Sequence, residues 1–446
     1  MELSLEVYRT ILKNVRSRAD IAALCRVSKG FQYVAERALY NTVFMHDVET
    51  TMALCRTLAR QPRVSLLVEA LTISLSGFPT EEERNGSDDS DEEEKDSEER
   101  NDSERGESEE LALALAMSLA GDFEGPEKVV APTSTDVTQD PVSKAGNLPD
   151  EYWASISNAL RKTNALRHLN IHINGPVETS NTWIFKGCTF RLQSFHCDLD
   201  WNPRLISFLR AQLNLHDLYI IDFNEDHFVT APPKTQIPTT PDTTTRTDTT
   251  HSAAIPFLPH LSKLECTFSE AALALIPGRP VTHLKTCFSK THPAEKAAEL
   301  YQLFSKIRRS TRRIRALDIA DSDYTEEFSM EMLRTVVATS STSTELRYLG
   351  TVVLPIGGRE RLMFYGLLMR LPRIACVEFE VSEWDPSPLG VGAPAFKALA
   401  NELRLYCPTV TKVVFVHEFE RTVISYVEGI GSLDMDISPE ILWREI

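Results

Sequence analysis

The sequence predicts an α/β protein in which a short helical head precedes an irregular solenoid of parallel strands and helices. Three observations carry this prediction. Residues 1–43 hold three apolar runs at helical spacing. Beyond them, an eight-residue string with apolar residues at positions 1, 4, 6 and 8 occurs five times in full and five more times with one of those positions polar. Amphipathic helical patterns lie between successive strings, which is the alternation expected of stacked strand-helix units.

In the head, Val7, Ile11, Leu12 and Val15 fall at helical spacing. Asp20 is placed to cap a second helix carrying Ile21, Leu24 and Val27, and Phe31, Val34, Ala35 and Ala38 mark a third. A unit of about 40 residues is at the lower limit for a self-sufficient core. Its apolar faces are therefore expected to complete their burial against a partner or the following domain.

The head also holds the ordered series Leu3-Ser4-Leu5-Glu6-Val7, Ile11-Leu12, Asp20-Ile21, Leu24, Val27-Ser28-Lys29-Gly30-Phe31 and Leu39-Tyr40. This series resembles the F-box, the module through which substrate receptors dock onto the Skp adaptor of cullin-based ubiquitin ligases. Two positions depart from the pattern: Ser4 stands where Pro is usual, and Ile21 where Leu is commoner. Ser4 can still cap the first helix. The resemblance implies adaptor contacts by Leu3, Glu6, Val7, Ile11, Leu12, Leu24, Val27, Phe31 and Leu39, and through the adaptor an assembly with a cullin.

The clearest strings are VEALTISL from Val68, LRHLNIHI from Leu166, LQSFHCDL from Leu192, LSKLECTF from Leu261 and IACVEFEV from Ile374. Weaker ones begin at Leu215, Val281, Ile314, Leu346 and Val410. From Leu166 onward the starts lie 20 to 46 residues apart. Helical patterns are read at Glu151 to Thr163, Arg204 to Leu213, Ala294 to Arg309, Arg361 to Leu371 and Pro394 to Tyr406. Residues 44–76 form a first strand-helix unit and 149–446 the main array. The string L-x-x-L-x-apolar resembles the strand segment of leucine-rich repeats, without the Asn that normally follows the strand. Irregular horseshoes of this sort behind an F-box are familiar in fungal F-box proteins. An ordinary α/β domain with a parallel sheet is the other reading of the same pattern.

If positions 4, 6 and 8 face the core, positions 3, 5 and 7 line a solvent-facing concave sheet. The substrate-binding candidates there are Asn170, His172, His196, Asp198, Tyr219, Glu265, Lys285, Asp318, Tyr348, Glu378 and Glu380. A solvated face, with binding by loops, is the competing expectation. No metal site is expected, because the His and Asp residues lack ligand spacing.

Of the net charge of -17, the tract 81–110 supplies -13, with 17 acids against four bases, which leaves the rest near neutral at -4. No basic surface points to nucleic acid or an anionic membrane. Residues 77–148 are expected to be a disordered acidic linker with one helix at 108–122, and 229–252 a Thr/Pro-rich loop. Within the linker, Glu109, Glu110, Leu111, Ala114, Leu115 and Ser118 place acids and then an apolar stripe on one helix. This resembles the ubiquitin-interacting motif, although Asp122 trails Ser118 by four residues where three is usual. The resemblance implies a ubiquitin contact; an Ala/Leu helix that docks on its own protein or forms transiently is the alternative.

The eight cysteines show neither a C-x-x-C pair nor metal-like clustering, as suits reduced thiols in the cytoplasm or nucleus. No stretch approaches the ~20 apolar residues of a membrane span. Phosphate-loop, dinucleotide, nucleophile-elbow and zincin motifs are absent, and Gly429-Ile430-Gly431-Ser432 is too short to carry meaning. The expectation is therefore a non-catalytic, cofactor-free substrate receptor of an SCF-type ubiquitin ligase. A scaffold that uses the head for assembly without delivering substrates stays open beside it.

Overall fold

A computed structural model describes residues 3–76, 150–174, 180–224, 257–321, 323–384, 392–418 and 420–446. The chain is mixed α/β, with helices and mostly parallel strands. It divides into two compact units, Met1–Leu192 and Gln193–Ile446, so the boundary falls inside the array expected to start at residue 149.

The first unit opens with three helices, α1 (Leu5–Lys13), α2 (Arg18–Leu24) and α3 (Lys29–Tyr40). Serines cap the second and third. Ser17 accepts from the Asp20 backbone N–H and Ser28 from that of Phe31. Asp20, expected as the cap of α2, instead occupies its first turn, where an acid complements the positive end of the helix dipole. Ser4 holds the extended cap position of α1, but its side chain accepts no capping hydrogen bond. After them come β1 (Thr42–Met45), α4 (Val48–Arg60), α5 (Pro62–Ser65), β2 (Ala70–Ser76), α6 (Asp150–Leu160), β3 (His168–Asn174) and a 3-10 turn at Thr182–Phe185. The three strands are parallel, with Thr42 opposite Ala70 and Ala70 opposite His168. Two polar ties join the three helices to β1 and α5. Arg18 donates to the carbonyls of Leu39 and Thr42, and the buried Glu36 receives Arg63 of α5 at 2.8 Å.

In the second unit the order is β4 (Ser194–Cys197), α7 (Pro203–Arg210), β5 (Asp217–Ile220), β6 (Lys263–Phe268), α8 (Ser269–Leu275), β7 (His283–Cys287), α9 (Pro293–Ile307) and β8 (Ala316–Ala320). It continues through α10 (Glu326–Ala338), α11 (Ser340–Ser343), β9 (Tyr348–Val353), α12 (Gly358–Leu368), β10 (Cys376–Glu380), α13 (Ala393–Tyr406) and β11 (Lys412–His417). It ends with β12 (Glu420–Val427), β13 (Ile430–Leu433), a 3-10 turn (Pro439–Ile441) and α14 (Leu442–Glu445).

Strands β4 to β11 are parallel and start in step: Ser194, Asp217, Lys263, His283, Ala316, Tyr348, Cys376 and Lys412 stand opposite one another in succession. Each is the third residue of its string. Fourth- and sixth-position side chains meet the helices, as in the ring pairs Phe195–Phe208, Phe379–Phe364 and Phe415–Phe396. After β11 the direction reverses. Glu418, at φ 46°, turns the chain into antiparallel β12, and Glu428-Gly429, both at positive φ, close a two-residue hairpin onto β13. The glycine pair without sequence meaning thus belongs to a hairpin turn and the start of β13.

Candidate functional site

The N-terminal helices carry apolar residues on two sides. On one side, Tyr8 and Leu12 of α1 are buried, and the Tyr8 ring meets Phe31 edge-on at 4.5 Å. This contact requires Gly30: a Cβ there would lie 2.4 Å from the Tyr8 ring. Gly30→Ala is expected to destabilise the protein by about 1 kcal/mol, the overpacking cost of roughly 1–3 kcal/mol being offset in part by alanine's better helix propensity. Urea melts check this, and a stabilised Gly30→Ala protein would contradict it.

On the neighbouring flank, Val7 and Ile11 lie one turn apart on α1 and remain 41 % and 36 % exposed, and Leu3, just ahead of the helix, is 51 % exposed. Val27 and Tyr33 are exposed as well. Of the residues expected to contact an adaptor, Leu3, Glu6, Val7, Ile11 and Val27 are on the surface and Leu24 and Phe31 half-buried. Leu12 and Leu39 lie in the interior instead, where they hold the helices together. The Glu6 carboxyl sits below its ordinary range, held there by its own backbone N–H and the Ser4 hydroxyl. Leu5 and Tyr33 were not expected among the exposed apolar residues.

The strand candidates are distributed over both units. Asn170 and His172 lie half-buried on β3 of the first unit. In the second unit His196, Tyr219, Glu265 and Lys285 are half-buried on β4 to β7, Asp198 just beyond β4 is likewise half-buried, and so is Glu380 at the end of β10. Asp318, Tyr348 and Glu378, expected to face solvent, are buried. The reason is that Leu442 and Trp443 of α14 lie on that side of the sheet, packed with Ala316, Tyr348, Cys376, Val414 and Val423.

The polar groups of this face form a connected set across the strands. Arg444 forks between Asp217 of β5 and Glu265 of β6, and Lys263 donates to the Arg444 carbonyl at 2.6 Å. Burial alone would raise the Asp217 carboxyl, but the His196 hydrogen bond and the Arg444 charge hold it below its ordinary value. Lys285 stands 3.7 Å from Glu265 and 3.8 Å from Asp318. Asp318 is pushed up by burial, against the pull of Lys285 and Arg421.

Glu378 accepts from the Tyr348 and Thr351 hydroxyls, with Arg421 at 3.8 Å; burial and the Asp318 charge push it up to about 7. Gly350 permits this crowding, since a Cβ there would lie 2.0 Å from an Asp318 carboxylate oxygen. Beside these groups His283 is pushed down to about 4, by burial first and then by Lys263 and Arg315, so it is neutral at physiological pH.

The groups of this face are answered within the chain: two carboxylates hold the Arg444 guanidinium, an apolar floor seats Leu442 and Trp443, and Lys263 meets the Arg444 carbonyl. Burial raises the pKa of all eight cysteines, so none is set up as a thiolate nucleophile. Among the described residues no group of three His, Cys, Asp or Glu side chains is placed to hold a metal. No helix among them is long and apolar enough to cross a membrane.

Arg444, Trp443, Leu442, Arg421 and Thr351 were missed from the sequence. A signal for the covering segment existed: third- and fifth-position residues are all polar on β6 and β7, yet include Ala316, Tyr348, Cys376 and Val414 farther along. Strands apolar on both sides are buried on both sides. The ubiquitin-binding candidates Glu109, Glu110, Leu111, Ala114, Leu115 and Ser118, like the Thr/Pro-rich tract, lie outside the described residues. No protein-family model matches the sequence, and no curated protein matches it.

Proposed function

We propose that the protein is the substrate-recognition subunit of an SCF-type ubiquitin ligase, with the N-terminal helices as an F-box that docks the Skp adaptor and the strand array as a leucine-rich-repeat-like solenoid that holds a protein substrate. The observation that carries this reading is that Leu3, just before α1, and Val7 and Ile11 on it stay exposed while Tyr8 and Leu12 on the flank beside them are already buried in a core. Exposed apolar surface of this kind marks a protein-protein contact. The order of the motif residues from Leu3 to Tyr40 gives the contact its family resemblance. The contribution to the reaction is proximity: adaptor and substrate are held on one chain, and bond chemistry is left to other subunits.

The test is co-purification with the Skp adaptor. Wild type is expected to retain it, and a Val7→Asp, Ile11→Asp, Val27→Asp triple variant to lose it by about tenfold or more, since a charge at each site must be desolvated in the contact. All three positions are at least 36 % exposed, so the melting temperature should hold. Equal recovery of the two proteins, or none of wild type, would rule the adaptor contact out. Accumulation of bound partner when the cullin is inhibited then separates delivery from scaffolding, because a scaffold's partner would not accumulate.

A further inference from the structure

Residues 437–446 meet the sheet as a bound peptide would. Ser438, Glu440 and Ile441 are exposed, and so are Met435 and Asp436 before them. The attachment then narrows to a few groups: Leu442 and Trp443 fully buried on the apolar floor, with Ile437 and Ile446 partly buried at its margin. The polar anchors are the Arg444 fork to Asp217 and Glu265 and the Lys263 hydrogen bond to the Arg444 carbonyl. The guanidinium also stacks over the Trp443 ring at 4.4 Å. One aromatic in an apolar seat, one forked arginine and one carbonyl contact are the elements by which a groove recognises a short segment.

The seat and the fork come from different strands. Asp217 and Glu265 project from β5 and β6, whereas Ala316, Tyr348, Cys376 and Val414 line β8 to β11. Without the segment, two adjacent carboxylates would face solvent beside an uncovered apolar patch. A ligand must answer both features at once, with a cation and a bulky apolar group at adjacent positions.

We propose that residues 437–446 are a displaceable, built-in occupant of this face, and that the face takes in their place a segment of a partner protein carrying an arginine next to an aromatic or large aliphatic residue. This inference rests on reading the strand face as the partner-binding surface, and it is independent of the adaptor contact.

Two measurements on the full chain test it. In hydrogen exchange of wild type, the amides of 437–446 are expected to exchange at least about tenfold faster than those of β8 to β11, because a displaceable segment opens without the sheet. Exchange at the strand rate would overturn the proposal. In the second, a fluorescently labelled synthetic peptide of residues 437–446 is titrated into wild type and into full-length Trp443→Ala. It is expected to bind the variant about tenfold tighter or more, because the seat is then vacated more often, and to lose about tenfold when the peptide carries Arg444→Ala. No binding to the variant, equal binding to both proteins, or equal binding of both peptides overturns the proposal. So does a Trp443→Ala chain that fails to fold, because a displaceable segment cannot be required for folding. Adaptor capture reads the head alone, so its loss with peptide binding intact would remove the ligase assignment and leave this one standing.

Discussion

Asp321→Ala is expected to cost about 3–5 kcal/mol of stability, because it strands a buried ammonium. Lys296 lies in the first turns of α9, and its Nζ meets the Asp321 carboxylate at 2.8 Å with both side chains only 4 % exposed. Its other neighbours are the Asp323 carbonyl at 3.0 Å and the Phe328 ring at 5.3 Å. These can orient the charge but not neutralise it. The pair ties the loop after β8 to the start of α9. Lys296→Met combined with Asp321→Leu is expected to recover most of the loss, since an apolar pair of similar volume avoids both desolvation costs. Urea denaturation of the wild type, the single variant and the double variant decides it. A loss below about 1 kcal/mol in Asp321→Ala would place the pair in the class of weak surface bridges.

How far the fold was legible depended on where one local pattern dictated the structure. All ten strings became strands, and each strand starts at the third residue of its string, because alternation registers a half-buried strand directly. The helices read between the strings were recovered within a few residues. Those passed over were α4, whose Thr and Arg residues dilute its stripe, the short α5, α8 and α11, and α10, whose Glu-rich start and Thr335 blur the period. The hairpin β12–β13 escaped because its turn is Glu428-Gly429 and not the Asn-Gly or Asp-Gly usual there.

The candidate surfaces were only half legible. Periodicity locates Val7, Ile11 and Leu12 on one helix but cannot tell which side meets the protein's own core. Burial of Leu12 and exposure of Val7 and Ile11 are decided by Tyr8 and Phe31, which pack where Gly30 leaves room. On the strands, alternation placed Tyr348 and Glu378 on the correct side of the sheet. It could not say that this side is covered there, since the cover comes from residues about 65 to 95 positions farther along the chain. A contact at that separation leaves no local signature.

Glu378→Gln is expected to stabilise the protein at pH 8 by about 2–3 kcal/mol and to change it little near pH 4.5. The Glu378 carboxyl is pushed up from its ordinary 4.5 to about 7, by burial first and then by the Asp318 charge; the Tyr348 and Thr351 hydroxyls and Arg421 oppose this only in part. A carboxyl raised on folding binds its proton more tightly in the folded chain. Between about pH 4.5 and 7 the folded state therefore holds more protons than the unfolded one, and stability falls as pH rises through that window. The contribution is fully present below the unfolded value and lost above the folded one. Gln has the same shape without the charge. One of the Tyr348 or Thr351 hydroxyls can turn to accept from its amide, and Asp318 loses a repulsive neighbour while keeping Lys285 at 3.8 Å. Urea melts of wild type and Glu378→Gln at pH 5 and pH 8 measure the effect as the change in their stability difference between the two pH values. The same gap at both would mean that Glu378 is not ionised at a cost in the folded chain, and that the floor beneath Trp443 tolerates its charge.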